Sequence, residues 1–521
     1  MDNRPLSTLG EVLIASFEGD FVKPQEGNVS VNPLIAKVAS WYEKLRNAMD
    51  YREEEVILRA AIERIIKRRI LLGAVGKNVA EPLVRELVWA RYFEDNIISE
   101  SVVEKVAQKI DVFLQLRSKI SGEFSEKTVN EWMYQLMSSD IVYLLNPDRD
   151  KEILSNFMFQ VMNQNVSILD DSEQNKDVQV FIAVRRSFAR DDIAFLRYHL
   201  FSQILGTLTK ENVNEIASKF GAAYEEIQKQ LSYPIKEKIY NYVLGKTGIF
   251  FILEDLMRIH RGNVRDLVKD NVIFRKEVLQ ACQLRYNGIS RKVRRAIIRS
   301  FIFILVTKAF FALFIEGTAE RIFYDRISWR AILFNITIPP ALMVIAGSLI
   351  RGPGEDNSLR IFSNIERIFF DENPKFTKPL ALKLNPKSQK TFLEAVFKGL
   401  WFLAYILSFG GIMLILTKLD FTLFSIGVFV FFMAIVSFLS YRIWLTSRVY
   451  TVEQKTSLLT PIADFLFMPI VRVGRELTEG FSQINVFLFL FDFIIETPFK
   501  GIFGFFEQWF LYLAAKREDI S

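Results

Sequence analysis

Two histidines and a single cysteine among 521 residues leave little material for the commonest catalytic and metal-binding chemistries. Each candidate can therefore be weighed singly. Gly245-Lys246-Thr247 has the ending of a phosphate-binding loop, but that loop needs a glycine five residues before its Gly-Lys pair so that backbone amides can wrap the phosphate. Position 240 is Tyr240, so the glycines are read as a helix break. His199 and His260 each lack a second His or Cys at ligand spacing and are read as packing or surface residues. Cys282, between Ala281 and Gln283, has no visible base to activate it and is read as a small buried residue. Asp170, Asp171, Glu173 and Asp177 gather carboxylates without the glycine and closing glutamate of a calcium loop, which makes a solvated linker the expectation.

Three features in the apolar half of the chain carry more chemistry. Lys308 stands inside a hydrophobic run, where a charge must snorkel, pair, or line a polar path; Thr307 and Glu316 are near enough in sequence to help satisfy it. Pro339 and Pro340 fall in the middle of a second run and remove two backbone donors, as a kink or a broken-helix site would. Gly410-Gly411 in a third run permits close helix approach. Snorkelling, a passive kink and tight packing are the plainer readings, because transport sites usually hold more polar groups at mid-membrane. No catalytic constellation emerges, so neither an enzyme nor a cofactor or metal is expected.

The elements that hold these residues are set by charge and phenylalanine. Half the residues are hydrophobic, 24% are charged, and mean hydropathy is +0.18. A disordered or disulfide-framework chain does not have this composition. Lys and Arg number 32 against 36 acids over residues 1–250, 12 against 5 over 251–300, and 22 against 19 thereafter, while 33 of the 48 Phe follow residue 300. Arg291, Lys292, Arg294, Arg295 and Arg299 thus lead directly into Phe301, Ile302, Phe303 and Ile304. Basic residues abutting an apolar run mark the cytosolic end of a membrane segment, which makes the lipid bilayer the expected partner and nucleic acid not.

A spanning helix takes roughly 20 apolar residues. Four segments qualify, at about 298–316, 331–350, 399–417 and 421–446, the last two joined by Lys418-Leu419-Asp420. The basic loop 351–395 and the bases after span four lie on the same side as the 291–299 cluster, whereas the 317–330 and 418–420 loops are less basic. This asymmetry predicts a multi-pass protein of the cell membrane with both termini cytosolic.

Before the spans, apolar residues recur at helical spacing and strand alternation is scarce. The spacing predicts an extended arm over 1–33, then a cytosolic all-helical domain over 34–290. Its first helix, 51–72, starts from an Asp50–Glu53 capping box. Others are expected at 81–96, 100–120, 126–145, 151–165, 176–205, 211–231, 234–260 and 264–286. After the transmembrane domain, 291–446, the Phe-rich tail 447–521 is cut by Pro461, Pro469 and Pro498 into short interfacial helices, its apolar run Val486–Ile495 being too short to cross. Leu359–Phe369 is amphipathic and reads the same way. The fold class is therefore all-α: a large cytosolic helical domain, a four-span bundle and amphipathic interfacial helices. The leading expectation is a membrane-anchored interaction or scaffold module; the alternative is a component of an oligomeric transporter or channel. Either implies a protein partner or a homo-oligomer.

Overall fold

The computed structural model describes residues 5–18, 27, 36–37, 39–40, 43, 54–71, 73–325, 329–350, 352–384, 391–452, 460–482, 505–506, 509 and 512–513. The fold is all-α. In chain order the helices are α1 (Thr8–Glu18), α2 (Glu54–Leu71), α3 (Lys77–Trp89), α4 (Glu100–Ile120), α5 (Glu126–Leu145), α6 (Arg149–Asn163), α7 (Glu173–Val184), α8 (Ile193–Leu205), α9 (Val213–Leu231), α10 (Lys236–Ile259) and α11 (Val264–Lys269). They continue as α12 (Asn271–Phe311), α13 (Gly317–Tyr324), α14 (Trp329–Leu349), α15 (Glu355–Phe370), α16 (Thr391–Lys418), α17 (Leu423–Ser447) and α18 (Thr460–Ser482). Two three-residue strands, β1 (Val166–Ile168) and β2 (Leu380–Leu382), pair in parallel.

The chain divides into two compact units. One comprises residues 6–244, 371–384 and 486–521; its helices α2 to α5 and α7 to α9 close around a core that includes Phe113, Trp132, Leu136, Phe201 and Phe220. Helix starts are capped by side chains as their sequences suggest: Ser125 accepts from Thr128 N, Asp148 from Lys151 N, and Ser172 from Asn175 N. Arg59 is buried at 3% exposure but doubly neutralised, by Glu63 at 2.5 Å and Asp192 at 2.6 Å.

Several expectations are corrected in this unit. The arm is not extended throughout, because Leu13, Ile14 and Phe17 repeat at helical spacing and are buried along α1. The helix expected over 176–205 is two. A π turn at Arg185–Ala189 and a left-handed Arg190 (φ 59°) break it, and the Arg185–Asp191 ion pair at 2.6 Å closes the break. The acidic stretch 170–177 is not a bare linker either: Asp171 accepts from Asn175 Nδ2 at 2.9 Å and from the Tyr233 hydroxyl, and Asp170 from Leu384 N at 2.6 Å. Part of the 351–395 loop joins this unit as β2. Asn165 holds it there, donating to Pro374 O at 2.9 Å and accepting from Phe376 N at 2.8 Å.

The second unit comprises residues 1–5, 245–370 and 385–485. The division falls at 244/245, inside α10, rather than at 290. No helix break exists at Gly245 or Gly248; Gly248 instead allows close approach, since a Cβ there would lie 2.9 Å from Tyr450 Cα. Among the described residues, four helices are long and apolar enough to cross a membrane: α12 with its continuation to Tyr324, α14, α16 and α17. The first runs unbroken from Asn271 through the basic cluster. Helix α15 occupies the amphipathic segment of the loop, and its apolar face is taken up by α12, with Phe369 edge-on to Phe274 at 5.8 Å. Pro469 does not cut the tail, because α18 passes through it, and Pro461 sits in the first turn, where a missing N–H costs nothing. The Asp50–Glu53 capping box, Pro498 and the run Val486–Ile495 lie outside the described residues.

A buried ionisable cluster as candidate functional site

The four apolar helices are packed inside out relative to a soluble core. Large side chains such as Phe303, Phe310, Phe314, Leu333, Leu414 and Leu423 are more than half exposed, while Lys308, Glu316, Glu320, Asn335 and Ser425 are each 0% exposed. Apolar atoms outward and charges inward is the arrangement a hydrocarbon solvent selects.

Lys308 therefore does not snorkel. Its ammonium sits 4.3 Å from the centre of the Phe432 ring on α17, within cation–π range, and has no hydrogen-bond partner among the described residues. Thr307 does not help, since its hydroxyl turns back to Phe303 O at 2.7 Å. Glu316 is the carboxylate whose charge acts on Lys308. In an unbroken α-helix, eight residues advance about 800°, which would set Glu316 about 80° around the axis from Lys308. A π turn spans Ala312–Glu316. One extra residue in a turn takes back about 100°, so the π turn brings Lys308 and Glu316 onto one face and carries Glu320, a turn later on α13, with them.

Helices α14 and α17 complete the site. Thr422 caps α17, accepting from Ser425 N at 3.2 Å and donating to Glu320 Oε1 at 3.1 Å. That cap places the Ser425 hydroxyl 2.7 Å from Glu316 Oε1 and 2.7 Å from Glu320 Oε1. Asn335 Nδ2 donates to the same Glu316 oxygen. A serine has one hydroxyl proton, so it can donate to only one of the two carboxylates. The hydroxyl thus links the two carboxyl groups, with Lys308 as the nearby cation. Glu316 Oε2 and Asn335 Oδ1 remain without hydrogen-bond partners among the described residues, as Lys308 Nζ does.

Pro339 and Pro340 lie inside α14, both buried, without ending it. Lacking N–H groups, they free the carbonyls of the residues four earlier, Asn335 and Ile336. The loosened turn is therefore the one that carries Asn335 into the cluster. The basic residues Arg291, Lys292, Arg294, Arg295 and Arg299 are exposed along α12, away from this site. Gly410 and Gly411 are not a close-approach point, as a Cβ at either would meet nothing within 4 Å. That role belongs to Gly474 on α18, where a Cβ would collide with Ala434 O of α17.

The remaining candidates lie apart from this cluster. Lys246 and Thr247 are buried within α10. His199 Nε2 lies 2.8 Å from the Tyr143 hydroxyl, His260 Nε2 lies 3.2 Å from Glu277, and Cys282 is fully buried. No group of three metal-ligating side chains occurs among the described residues. Sequence reasoning missed Glu320, Asn335, Thr422 and Ser425. The only signal that could have found them is their spacing from the span ends once the first helix is carried on past Glu316. No protein family, curated protein or solved structure matches the chain.

Proposed function

We propose that this chain is a multi-pass protein of the cell membrane, with both termini and the 6–244 helical unit cytosolic, and that its buried cluster moves protons or small cations as part of an oligomeric transporter or channel. The observation that carries the reading is the Ser425 hydroxyl shared by Glu316 and Glu320 beside Lys308. A bundle that only anchors a protein gains nothing from two carboxylates and an ammonium in its interior, because each costs several kcal/mol to desolvate, by order of magnitude. Intramembrane ionisable groups facing a bundle interior are the material of ion pathways and proton relays. Four helices rarely enclose a pathway alone, so the working form is a homo-oligomer or includes a partner. Among the described residues, six polar side chains, Lys308, Glu316, Glu320, Asn335, Thr422 and Ser425, are gathered where the first apolar helix ends and the second and fourth begin, more than Lys308 and the two prolines alone supply.

A membrane-anchored interaction module remains the second reading, favoured by the size of the helical unit and its separate core. Proteoliposomes decide between them. Wild-type protein is expected to carry a proton or alkali-cation flux that Glu316→Gln and Lys308→Met abolish while oligomer and helical content persist; a flux-inert wild type leaves the interaction module. Orientation is checked in a Cys282→Ala background. Lys418→Cys should react with an impermeant thiol reagent from outside intact cells and Lys383→Cys should not. Glu320 is unsuitable for labelling because it is buried, and Asp420 because its φ is +61°.

A further inference from the structure

Where the basic stretch of α12 gives way to apolar residues, the surface holds a cavity of about 440 Å³. This lies within the roughly 300–1,000 Å³ typical of small-molecule sites. Helix α12 contributes Ser290, Arg294, Ile297 and Ile298, the residue after α14 contributes Ile350, and the last residue of α17 contributes Ser447. The start of the first apolar run and the ends of the second and fourth thus lie at one level, as alternating passes require.

Two kinds of wall make up this cavity. Ile297, Ile298 and Ile350 form an apolar floor, and Gly347 lets α14 close on it, since a Cβ there would come within 2.8 Å of Ile297 Cδ1. Arg294, exposed, is the base among the residues lining the cavity, while Arg291, Lys292, Arg295 and Arg299 stand exposed on other faces of α12 at the same end of the span. None of the five is ion-paired among the described residues; Arg291 and Arg295 reach only backbone carbonyls, at 3.4 Å. At a span end such bases attract anionic headgroups, by about 1 kcal/mol per basic residue, and Arg294 brings one of them to the cavity itself.

We infer that this cavity binds one anionic phospholipid of the surrounding leaflet. The phosphate accepts hydrogen bonds from the Arg294 guanidinium beside the Ser290 hydroxyl, and an acyl chain lies along Ile297, Ile298 and Ile350. The inference rests on the membrane placement of the four helices and not on transport. A soluble phosphate would leave the apolar floor unused, and a zwitterionic lipid, with no net charge, would gain less from Arg294 and the bases of this span end.

The test uses purified full-length protein in mild detergent, with dioleoylphosphatidylglycerol, dioleoylphosphatidylcholine and glycerol phosphate as probes. Retention is read by native mass spectrometry and thermal stabilisation by circular dichroism. Wild-type protein should retain one phosphatidylglycerol in preference to phosphatidylcholine and should not respond to glycerol phosphate. Arg294→Gln should weaken phosphatidylglycerol about tenfold, as the loss of one charge-assisted hydrogen bond predicts. Ser290→Trp, which fills the mouth, should remove it, and four basic residues remain in the first variant to preserve orientation. Equal retention of both lipids, an equal response to glycerol phosphate, or phosphatidylglycerol binding unchanged in both variants would overturn the inference. Failure of the membrane reading is separately visible in the Lys418 and Lys383 labelling.

Discussion

Ser425→Ala is the sharpest single perturbation of the ionisable cluster, because it deletes one oxygen and leaves every neighbouring side chain in place. The hydroxyl makes two 2.7 Å contacts, with Glu316 Oε1 and Glu320 Oε1. Hydrogen bonds to charged groups contribute about 1.5–3 kcal/mol each, and a buried polar atom left unpaired costs a similar amount. Neither carboxylate is fully stripped, since Asn335 still donates to Glu316 and Thr422 to Glu320. The expected loss is therefore about 2–4 kcal/mol rather than the sum of two full penalties. The Thr422 cap survives through the Ser425 backbone N–H, so α17 should not fray. Reversible unfolding in mixed micelles, titrated with a denaturing detergent and followed by circular dichroism, reads this loss directly. Ser425→Thr keeps a hydroxyl and should recover most of it. A Ser425→Ala change below about 0.5 kcal/mol, within the usual spread of neutral surface substitutions, would refute the shared-hydroxyl arrangement.

Asn165→Ala orphans the buried Pro374 carbonyl and Phe376 N–H, and about 1–3 kcal/mol for each predicts a loss of roughly 2–6 kcal/mol, measured by urea unfolding of the full chain in detergent. Gly474→Ala drives a methyl against Ala434 O and should cost about 1–3 kcal/mol or more by thermal unfolding, whereas Gly410→Ala meets open space and should stabilise α16 by about 0.5–1 kcal/mol. Burial works against ionising Asp191, but the Arg185 guanidinium and His199 outweigh it and hold its carboxyl below the ordinary range. A depressed carboxylate contributes stability that is complete above the unfolded value near about 3.9 and is lost as pH falls through the lower folded value. Acid unfolding should therefore begin at higher pH in Arg185→Met than in wild type, followed by tryptophan fluorescence; coincident acid transitions would contradict this.

Local sequence determined most of the helices and all four apolar ones, because helix period, capping residues and the length of an apolar run are properties of neighbouring residues. It also marked Lys308 as a charge in the wrong solvent. Tertiary structure decided which way that charge faced. The π turn at Ala312–Glu316 rotates Glu316 and Glu320 onto the Lys308 face, and no local pattern announces one extra residue in a turn. β1 and β2 are three residues each and more than two hundred positions apart, too short for alternation to register, and their pairing depends on Asn165 reaching across that distance. Glycine showed the same division. Gly410-Gly411 and Gly474 look alike as letters, but of the three only Gly474 has another backbone, at Ala434 O, where a Cβ would be. Which helix meets which is settled by long-range packing, and so the candidate site, assembled from α12, α13, α14 and α17, became visible only when those helices were brought together.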